Sequence, residues 1–312
     1  MSTINFPQTS EPMENTLNMK GTLIDLEFND LDLFMDTAKA WDLQFRQLER
    51  GNLNSRLRQV IFPEFQLGYC HLDKQIDQLG TAPPGYWTFA FAGGTRIIWR
   101  GVLKEQGDII VYSPGSEINC QSWAGFNVIT FSITEAKIEE ICERHHLGGL
   151  MHTIRGNDLI RVNNLAAQIF RRDLISILQY YFEGAAQASQ PLFRMVCEEL
   201  PLRLLEMIEG PAIRRKIFAS SLRETAVRQV MDFLRHMDRD SVTIKDLCEV
   251  AGVSERTLQY AFREKYGMSP KQYLKAFLLN KVHAALSTSN PANAKVVDLA
   301  SKWGFWHMGQ FS

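Results

Sequence analysis

The sequence has no long hydrophobic run, and its first residues carry no export signal. No stretch of the 312 residues approaches the roughly 18 uninterrupted apolar positions that a membrane-spanning helix needs. Residues 1–20 are polar, contain Pro7 and Pro12, and lack the basic start and apolar core of a secretory signal. We therefore expect a flexible tail over residues 1–20, a cytoplasmic protein and no membrane partner.

Cysteine is scarce and scattered, with five residues that lie far apart in the chain. An odd, dispersed set argues against a disulfide framework and against a zinc knuckle. None of the seven histidines belongs to a His-x-His pair in the β-rich region, so the sequence predicts no metal site. We also expect no cofactor.

Catalytic and nucleotide-binding motifs are lacking as well. The chain contains no Gly-x-Ser-x-Gly, no Gly-x-x-x-x-Gly-Lys and no Gly-x-Gly-x-x-Gly. We predict no catalytic residue and no enzymatic activity. A barrel enzyme with an appended helical module is the least favoured alternative.

Charge is nearly balanced over the whole chain, with a net charge of −1, but it is unevenly distributed. Residues 221–312 carry 13 Lys and Arg against 9 Asp and Glu, whereas the first 220 residues carry 21 basic and 26 acidic side chains. This asymmetry indicates a mildly basic C-terminal domain attached to an acidic one. A net charge of +4 permits polyanion binding without demonstrating it.

Residues 21–210 are predicted to form a β-rich domain followed by a helical segment. Short β-prone runs separated by turn signals are typical of a small barrel or sandwich, and we predict a β-barrel-like (cupin-like) domain. The β-prone runs are Leu57–Tyr69, Tyr86–Phe91, Thr95–Trp99, Asp108–Tyr112 and Phe126–Ile133.

The pattern becomes helical after Ile133. Thr134 is a favourable N-cap for the first helix, and apolar residues recur at helical spacing from Leu159 to Tyr181. Residues 192–208 continue as a helix that Pro201 kinks or breaks. These helices pack on the barrel, on each other or on a second copy of the chain, and residues 211–220 are predicted to be a linker.

Aromatic residues are concentrated in the β-rich part, where they suggest a pocket for a small organic ligand. Strand alternation places Trp87, Phe89 and Phe91 on one face, and Arg96 is a candidate charged anchor. The alternative is that these aromatics are the barrel core. The predicted ligand-binding residues are Trp87, Phe89, Arg96, Trp99, Tyr112 and Trp123.

A helix-turn-helix pattern follows the predicted linker, in a domain assigned to residues 221–312. Cys248 supplies a small residue where two helices cross, and Gly252, four residues later, supplies the positive φ of a tight turn. Leu258 is a predicted apolar contact between the helices, and Ser254 is a favourable N-cap for the second helix.

A second, similar unit begins at Val296. It repeats the small residue at Ala300, the turn glycine at Gly304 and the apolar follower at Phe305. A long helix that starts at Ser269-Pro270 connects the two units, with proline at its first position. Two units joined by one helix are a much more specific signal than one. The predicted fold class is therefore α+β, with the β-rich domain followed by an all-α double helix-turn-helix domain.

These C-terminal residues resemble the AraC-type transcriptional regulators, the family named for the arabinose-operon activator. The resemblance covers about 90 residues. It rests on Leu247–Phe262, Tyr266–Pro270 with Tyr273-Leu274, Leu299–Phe305 and Phe311-Ser312.

The resemblance implies a sequence-specific regulator that binds double-stranded DNA. The two recognition helices would lie in successive major grooves, roughly 34 Å apart. Arg256 would read guanine and Gln259 adenine through bidentate hydrogen bonds, while Tyr260 and Arg263 would meet phosphates. A solvated helix face is the alternative for each side chain. The residues expected at DNA are Ser254, Glu255, Arg256, Thr257, Gln259, Tyr260, Arg263, His307 and Gln310.

Further partners follow from the same resemblance. Family members often carry a ligand-binding barrel and dimerisation helices, so we expect a small-molecule effector, a homodimer and, for an activator, contact with RNA polymerase. In the family the second recognition helix continues beyond the Phe-Ser pair, whereas this sequence stops at Ser312. We expect the second unit to be incomplete, and the alternative function is a ligand sensor or fragment with weakened DNA binding.

Overall fold

The chain is described by a computed structural model over residues 22–37, 41–183, 195–210, 213–215, 222–237, 242–289 and 295–305. The predicted tail lies outside these residues. None of the described helices is long and apolar enough to cross a membrane.

The β-strands of the described residues form two sheets in which neighbouring strands run antiparallel. The larger sheet has the order β1-β3-β4-β11-β6-β9-β12-β13, and the smaller one has the order β2-β5-β10-β7-β8. The strands are β1 (Thr22–Phe28), β2 (Asp42–Gln47), β3 (Ser55–Ile61), β4 (Phe65–Leu72), β5 (Ile76–Thr81), β6 (Tyr86–Gly93), β7 (Ile97–Trp99), β8 (Val102–Leu103), β9 (Asp108–Tyr112), β10 (Glu117–Ser122), β11 (Phe126–Thr134), β12 (Leu159–Arg161) and β13 (Ile213–Arg215).

The helices of the described residues occupy the rest of the chain. Those of the first domain are α1 (Leu31–Thr37), α2 (Glu135–Arg144), α3 (Leu150–Arg155), α4 (Asn164–Phe182) and α5 (Leu200–Glu209), which follows a π-helical turn at Met195–Glu199. Those of the C-terminal region are α6 (Leu222–Arg235), α7 (Ile244–Ala251), α8 (Glu255–Tyr266), α9 (Pro270–Ser287) and α10 (Val296–Lys302).

The elements stack in four layers because the larger sheet is apolar on both sides and the smaller sheet is apolar on the side that faces it. On β6, Phe89 and Phe91 face the helices α2–α5, whereas Ala90 and Ala92 face the smaller sheet. The outer face of the smaller sheet contributes Leu79 to the core of the C-terminal helices. The layers are therefore helices, larger sheet, smaller sheet and C-terminal helices.

The predicted fold class is confirmed, with a β-sheet domain followed by a helical region that contains a helix-turn-helix. The two sheets face each other without closing into one barrel. Thr134 caps α2 by accepting a hydrogen bond from the backbone N–H of Lys137, as the sequence predicts. Pro201 lies in the first turn of α5, where the π-helical turn ends, so the predicted break is also confirmed.

The β-prone run Leu57–Tyr69 forms a hairpin of β3 and β4, with Pro63 in its turn. One prediction needs correction. The helix predicted from Leu159 begins at Asn164, because Asn163 caps it and residues 159–161 pair with β9 instead. Within the predicted linker, residues 213–215 extend the larger sheet by pairing with β12, and the other linker residues lie outside the described ones.

Candidate nucleic-acid interface

Two short helices, α7 and α8, meet at a left-handed glycine. Thr243 and Asp246 cap α7 reciprocally: the Thr243 hydroxyl accepts from the backbone N–H of Asp246 at 3.3 Å, and the Asp246 carboxylate accepts from that of Thr243 at 2.8 Å. Gly252 ends α7 with φ +61°, the conformation that the sequence predicts. This left-handed residue turns the chain sharply enough for the second helix to begin three residues later.

Ser254 sets the start of α8, the predicted recognition helix. Its hydroxyl accepts a hydrogen bond from the backbone N–H of Thr257 at 3.2 Å. Leu258 and Phe262 are fully buried against α6 and α9. Because a helix that buries one face presents the other, the remaining side chains of α8 lie along an exposed surface.

The exposed face of α8 carries the side chains that the sequence predicts at DNA. Glu255, Arg256, Gln259, Tyr260 and Arg263 are all exposed, as is Ser254, while Thr257 is half-buried. The Gln259 amide donates to the Glu255 carboxylate at 3.2 Å, and the Arg256 guanidinium lies 5.8 Å from the centre of the Tyr260 ring. The face therefore offers hydrogen-bond donors, hydrogen-bond acceptors and positive charge.

The second helix-turn-helix unit is described only in its first part. Ala300 is buried against the C-terminal core, Gly304 has φ +86°, and Phe305 is buried beside it. Ala300 is thus the small residue between the helices, Gly304 the turn glycine and Phe305 the apolar residue after it, as the sequence predicts. His307 and Gln310 lie outside the described residues.

The inner end of the recognition helix rests on the smaller sheet. The Lys265 ammonium donates to the Asn119 side chain at 3.1 Å, and burial lowers the pKa of Lys265. The Tyr266 carbonyl accepts hydrogen bonds from the side chains of Gln75 and Gln121, each at 3.2 Å. One end of α8 is thus fixed to the first domain while its outer face remains free.

A buried charged cluster joins the long helix α9 to the same sheet. The Arg46 guanidinium lies 3.5 Å from the Asp77 carboxylate and 3.5 Å from the Tyr273 hydroxyl, which donates to Asp77. Arg46 also lies over the Phe277 ring at 4.8 Å. Burial, together with the charge of Asp77, holds the pKa of Tyr273 well above its usual range.

Sequence reasoning did not single out this cluster. Arg46, Asp77 and Gln121 lie side by side on three neighbouring strands, because the register pairs Arg46 with Asp77 and Asp77 with Gln121. These residues are far apart in the sequence, and no local pattern reveals the register that aligns them. None of the three lies within the five β-prone runs named above, so the sequence offered no local signal for the cluster.

The predicted ligand-binding aromatics do not form one pocket. Trp87 and Phe89 belong to the core beneath the helices, whereas Trp99 and Tyr112 belong to the core between the sheets. The structure thus agrees with the alternative interpretation, in which the aromatics of the strands are core.

Arg96 also differs from its predicted place inside the barrel. Its side chain is exposed and stacks on Trp123, with the guanidinium 4.6 Å from the ring centre. Trp123 in turn lies next to Gly267, at the end of the recognition helix. Tyr112 contributes to a small cavity of about 90 Å³ between the sheets, and the other five predicted residues do not line it.

One group of potential metal ligands occurs among the described residues. Asp30, Asp32 and His283 place ligand atoms within 4.8 Å of one another, and His283 lies 3.5 Å from Asp32. The group joins the first domain to α9. Three partly exposed side chains without a fourth donor do not build a closed site, so this group supports no metal assignment.

Comparison with known proteins places the similarity in the C-terminal region. A family model described as a helix-turn-helix domain matches residues 247–312. The probable thc operon regulatory protein of Rhodococcus erythropolis is 33% identical over 86 residues, which are 28% of this chain and 26% of that protein. The XylDLEGF operon transcriptional activator 1 of Pseudomonas putida is 30% identical over 110 residues, 35% of this chain and 32% of that protein.

The similarity to these relatives therefore spans about a third of their length or less. Among solved structures, that of the AraC-like transcriptional activator CuxR aligns with 90% of this chain and 100% of its own, at 11% identity and a TM-score of 0.46. The family match covers the capped recognition helix, the long connecting helix and the start of the second unit. The C-terminal region of the chain therefore contains a helix-turn-helix domain, and the chain is similar over part of its length to two operon regulators.

Proposed function

We propose that the chain is a sequence-specific DNA-binding transcriptional regulator. The observation that carries the proposal is the exposed outer face of α8, which lies in a helix-turn-helix whose core and caps are complete. The two relatives named above are operon regulators, and each matches about a third of this chain. The net positive charge of residues 221–312 favours a polyanionic partner.

The proposed contacts divide between bases and phosphates. Arg256 reads guanine and Gln259 reads adenine in the major groove, after Gln259 releases its hydrogen bond to Glu255. Tyr260 and Arg263 meet phosphates, together with the N-terminal end of α8 near Ser254 and Thr257. His307 and Gln310 are the proposed contacts of the second unit.

The proposed organisation assigns residues 21–210 to a sensor domain, 211–220 to a linker and 221–312 to DNA binding, after a tail over residues 1–20. A small-molecule effector bound by the sensor domain would control DNA affinity. This division is supported by the hydrophobic core of the C-terminal helices, whose buried side chains come from residues 226–305 with the exception of Leu79. The chain would then be a cytoplasmic regulator without enzymatic activity.

Assembly and transcriptional partners are part of the same proposal. Leu165, Ile169 and Tyr180 are exposed apolar side chains on α4, in the segment assigned to dimerisation. Such a patch favours a second copy of the chain as its partner. An activator built this way would also contact RNA polymerase.

Fluorescence anisotropy tests DNA binding directly. The full chain is titrated with labelled DNA from upstream of its own gene and with a scrambled duplex, across a series of salt concentrations. We expect tighter binding to the upstream DNA and an affinity that falls steeply with salt, because phosphate contacts release counterions. Arg256→Ala and Gln259→Ala should each cost about 1–3 kcal/mol and relax sequence preference.

Arg172→Ala provides a charge-matched control, because Arg172 is exposed on α4 in the first domain. This variant should bind the upstream DNA as the unaltered chain does. Equal and weak binding to both duplexes would contradict the proposal. So would an Arg256→Ala variant that retains full sequence preference.

A further inference from the structure

A cavity of about 560 Å³ lies at the side of the first domain, away from the predicted aromatic residues. It opens between the turn that follows β6, the connection from β8 to β9, and the N-terminal part of α4. Its base is apolar, with Phe91, Ile97 and Ala167 all buried. This volume falls within the range of small-molecule sites.

Two cations line the cavity and have no carboxylate partner within the described ranges. Arg171 donates from Nε to the Phe91 carbonyl at 3.2 Å and from Nη2 to the Asn127 side chain. Lys104 donates to the backbone carbonyl of Glu105 at 3.2 Å. Neutral acceptors therefore satisfy part of the donor capacity of these two side chains, and neither side chain forms an ion pair within 4.0 Å among the described residues.

The two acids that line the cavity share one cation. Asp108 accepts from Arg161 at 2.8 Å, and Glu105 lies 2.7 Å from the same guanidinium. Arg161 belongs to β12 and does not line the cavity. Lys104, Arg171 and Arg161 therefore outnumber Asp108 and Glu105, and the charged groups at the cavity carry a net positive charge.

Their electrostatic surroundings favour an added negative charge. Burial lowers the pKa of Lys104, and the neighbouring charge of Arg171 lowers it further, although Asp108 acts in the opposite direction. Burial also lowers the pKa of Arg171. Two partly desolvated cations that repel each other become more stable when an anion lies between them.

The start of α4 adds to the positive potential. This helix has 19 residues, and Asn163 caps it by accepting from the backbone N–H of Ala166 at 3.1 Å. Ala167 and Arg171 project from its first two turns toward the cavity. The positive end of the helix dipole therefore lies on the same side as the two cations.

We propose that this cavity is the effector site and that it binds a small organic anion, with one acidic group between Lys104 and Arg171 and an apolar body against Phe91 and Ile97. The proposal deepens, and rests on, the assignment of the first domain as a sensor. The apolar base favours a carboxylate on a hydrocarbon body. A phosphate group shares the same charge recognition, so the experiment includes both.

Isothermal titration calorimetry of the full chain tests the site with 3-phenylpropanoate, its uncharged analogue 3-phenylpropan-1-ol, and inorganic phosphate. We expect saturable binding of 3-phenylpropanoate and binding of the alcohol that is weaker by about tenfold or more, because the alcohol lacks the charge. Lys104→Met and Arg171→Gln should each weaken 3-phenylpropanoate by a similar factor. Saturable phosphate binding that Lys104→Met abolishes would support the anion site and assign it to phosphate compounds.

Arg172→Gln is the matched control, since it removes the adjacent charge on α4 from outside the cavity. Arg171→Gln also removes two structural hydrogen bonds, so circular dichroism must show that it folds. Lys104→Met removes only one bond to a backbone carbonyl and keeps the test decisive if Arg171→Gln does not fold. The proposal is overturned if neither anion binds saturably, or if binding survives Lys104→Met unchanged.

Anisotropy with upstream DNA, measured on the same protein, separates this proposal from the proposed function. Anion binding without DNA binding would contradict the regulator and leave the site intact. DNA binding without anion binding would support the regulator and overturn the anion site.

Discussion

At the scale of single residues, two glycines end the two helices of the helix-turn-helix. Gly252 and Gly267 adopt left-handed conformations, with φ of +61° and +70°, at the ends of α7 and α8. Glycine takes this conformation without the steric cost that a Cβ atom adds. Because Gly252 precedes the N-cap Ser254 by two residues, the position of the side chains proposed to contact DNA depends on this turn as well as on the cap.

We expect Gly252→Ala to lower the free energy of unfolding by about 1–2 kcal/mol. A Cβ at this position has no neighbouring atom within 4 Å, so the whole effect comes from backbone strain. Urea denaturation measures it. Gly148→Ala is the control, because its surroundings are equally open and its φ is not in the left-handed range. Equal destabilisation of the two variants would argue against a strained turn.

At the scale of elements, the hairpin of β7 and β8 connects the smaller sheet with the first C-terminal helix. Gly101, in its turn, has φ +84°, and a Cβ there would lie 2.4 Å from a carboxylate oxygen of Glu224 on α6. Ile97 and Lys104, at the two ends of this hairpin, line the cavity proposed to bind an anion. The hairpin is therefore a direct physical connection between that cavity and the helix-turn-helix domain.

Gly101→Ala should destabilise the chain more than Gly115→Ala does. Gly115 has a similar φ of +68° but no atom within 4 Å of a Cβ, so it reports the backbone strain alone. The difference between the two losses in free energy of unfolding, obtained from urea denaturation, measures the cost of the clash between the new Cβ and Glu224. Adding Glu224→Ala to Gly101→Ala should remove most of the excess. Equal losses of stability in Gly101→Ala and Gly115→Ala would show that Glu224 moves aside without cost.

Elements with a strong local signal are those that sequence reasoning predicted well. The run Asp108–Tyr112 is strand β9 with the same ends, and the capping residues Thr134, Ser254 and Ser269 begin their helices as predicted. Local hydrogen bonds and turn chemistry fix such positions. Strand β12 was mistaken for the start of a helix because three apolar-rich residues satisfy either period, and only pairing with β9 decides between them.

At the scale of the whole molecule, the docking of the C-terminal helices on the smaller sheet depends on a buried ion pair. Arg46 and Asp77 are almost inaccessible to solvent, and Tyr273 and Phe277 of α9 complete their surroundings. Removing one partner of a buried pair is costly, because it leaves an uncompensated charge. Local sequence patterns could not predict this interface, because it brings together residues about 200 positions apart.

Arg46→Met should lower the free energy of unfolding by roughly 3–5 kcal/mol, because it leaves the carboxyl group of Asp77 buried without its cationic partner. Combining it with Asp77→Asn should recover part of the loss. Arg56→Met is the control, since Arg56 pairs with Asp25 at the surface, where the median value of such pairs is about 0–1 kcal/mol. Urea denaturation compares the three variants. A loss for Arg46→Met no larger than that of the control would show that the pair does not secure the docking.

Alkaline pH should weaken this docking. Burial raises the pKa of both Tyr266 and Tyr273 well above the ordinary value of about 10. The folded chain then keeps protons that the unfolded chain loses, so stability is complete below about pH 10 and falls as the pH rises above it. Denaturation midpoints measured against pH test this, and Tyr273→Phe should make the decline shallower. An unchanged slope would show that Tyr273 titrates normally.

Strand β13 fixes the connection between the two domains to the edge of the larger sheet. Only seven peptide units separate Arg215, at its end, from Leu222, where α6 begins, so the tether reaches on the order of 25 Å at most. A helix-turn-helix domain released from the sheet would stay at millimolar effective concentration relative to its docking surface. Release and return are thus intramolecular events, and their balance is independent of how many copies of the protein a cell contains.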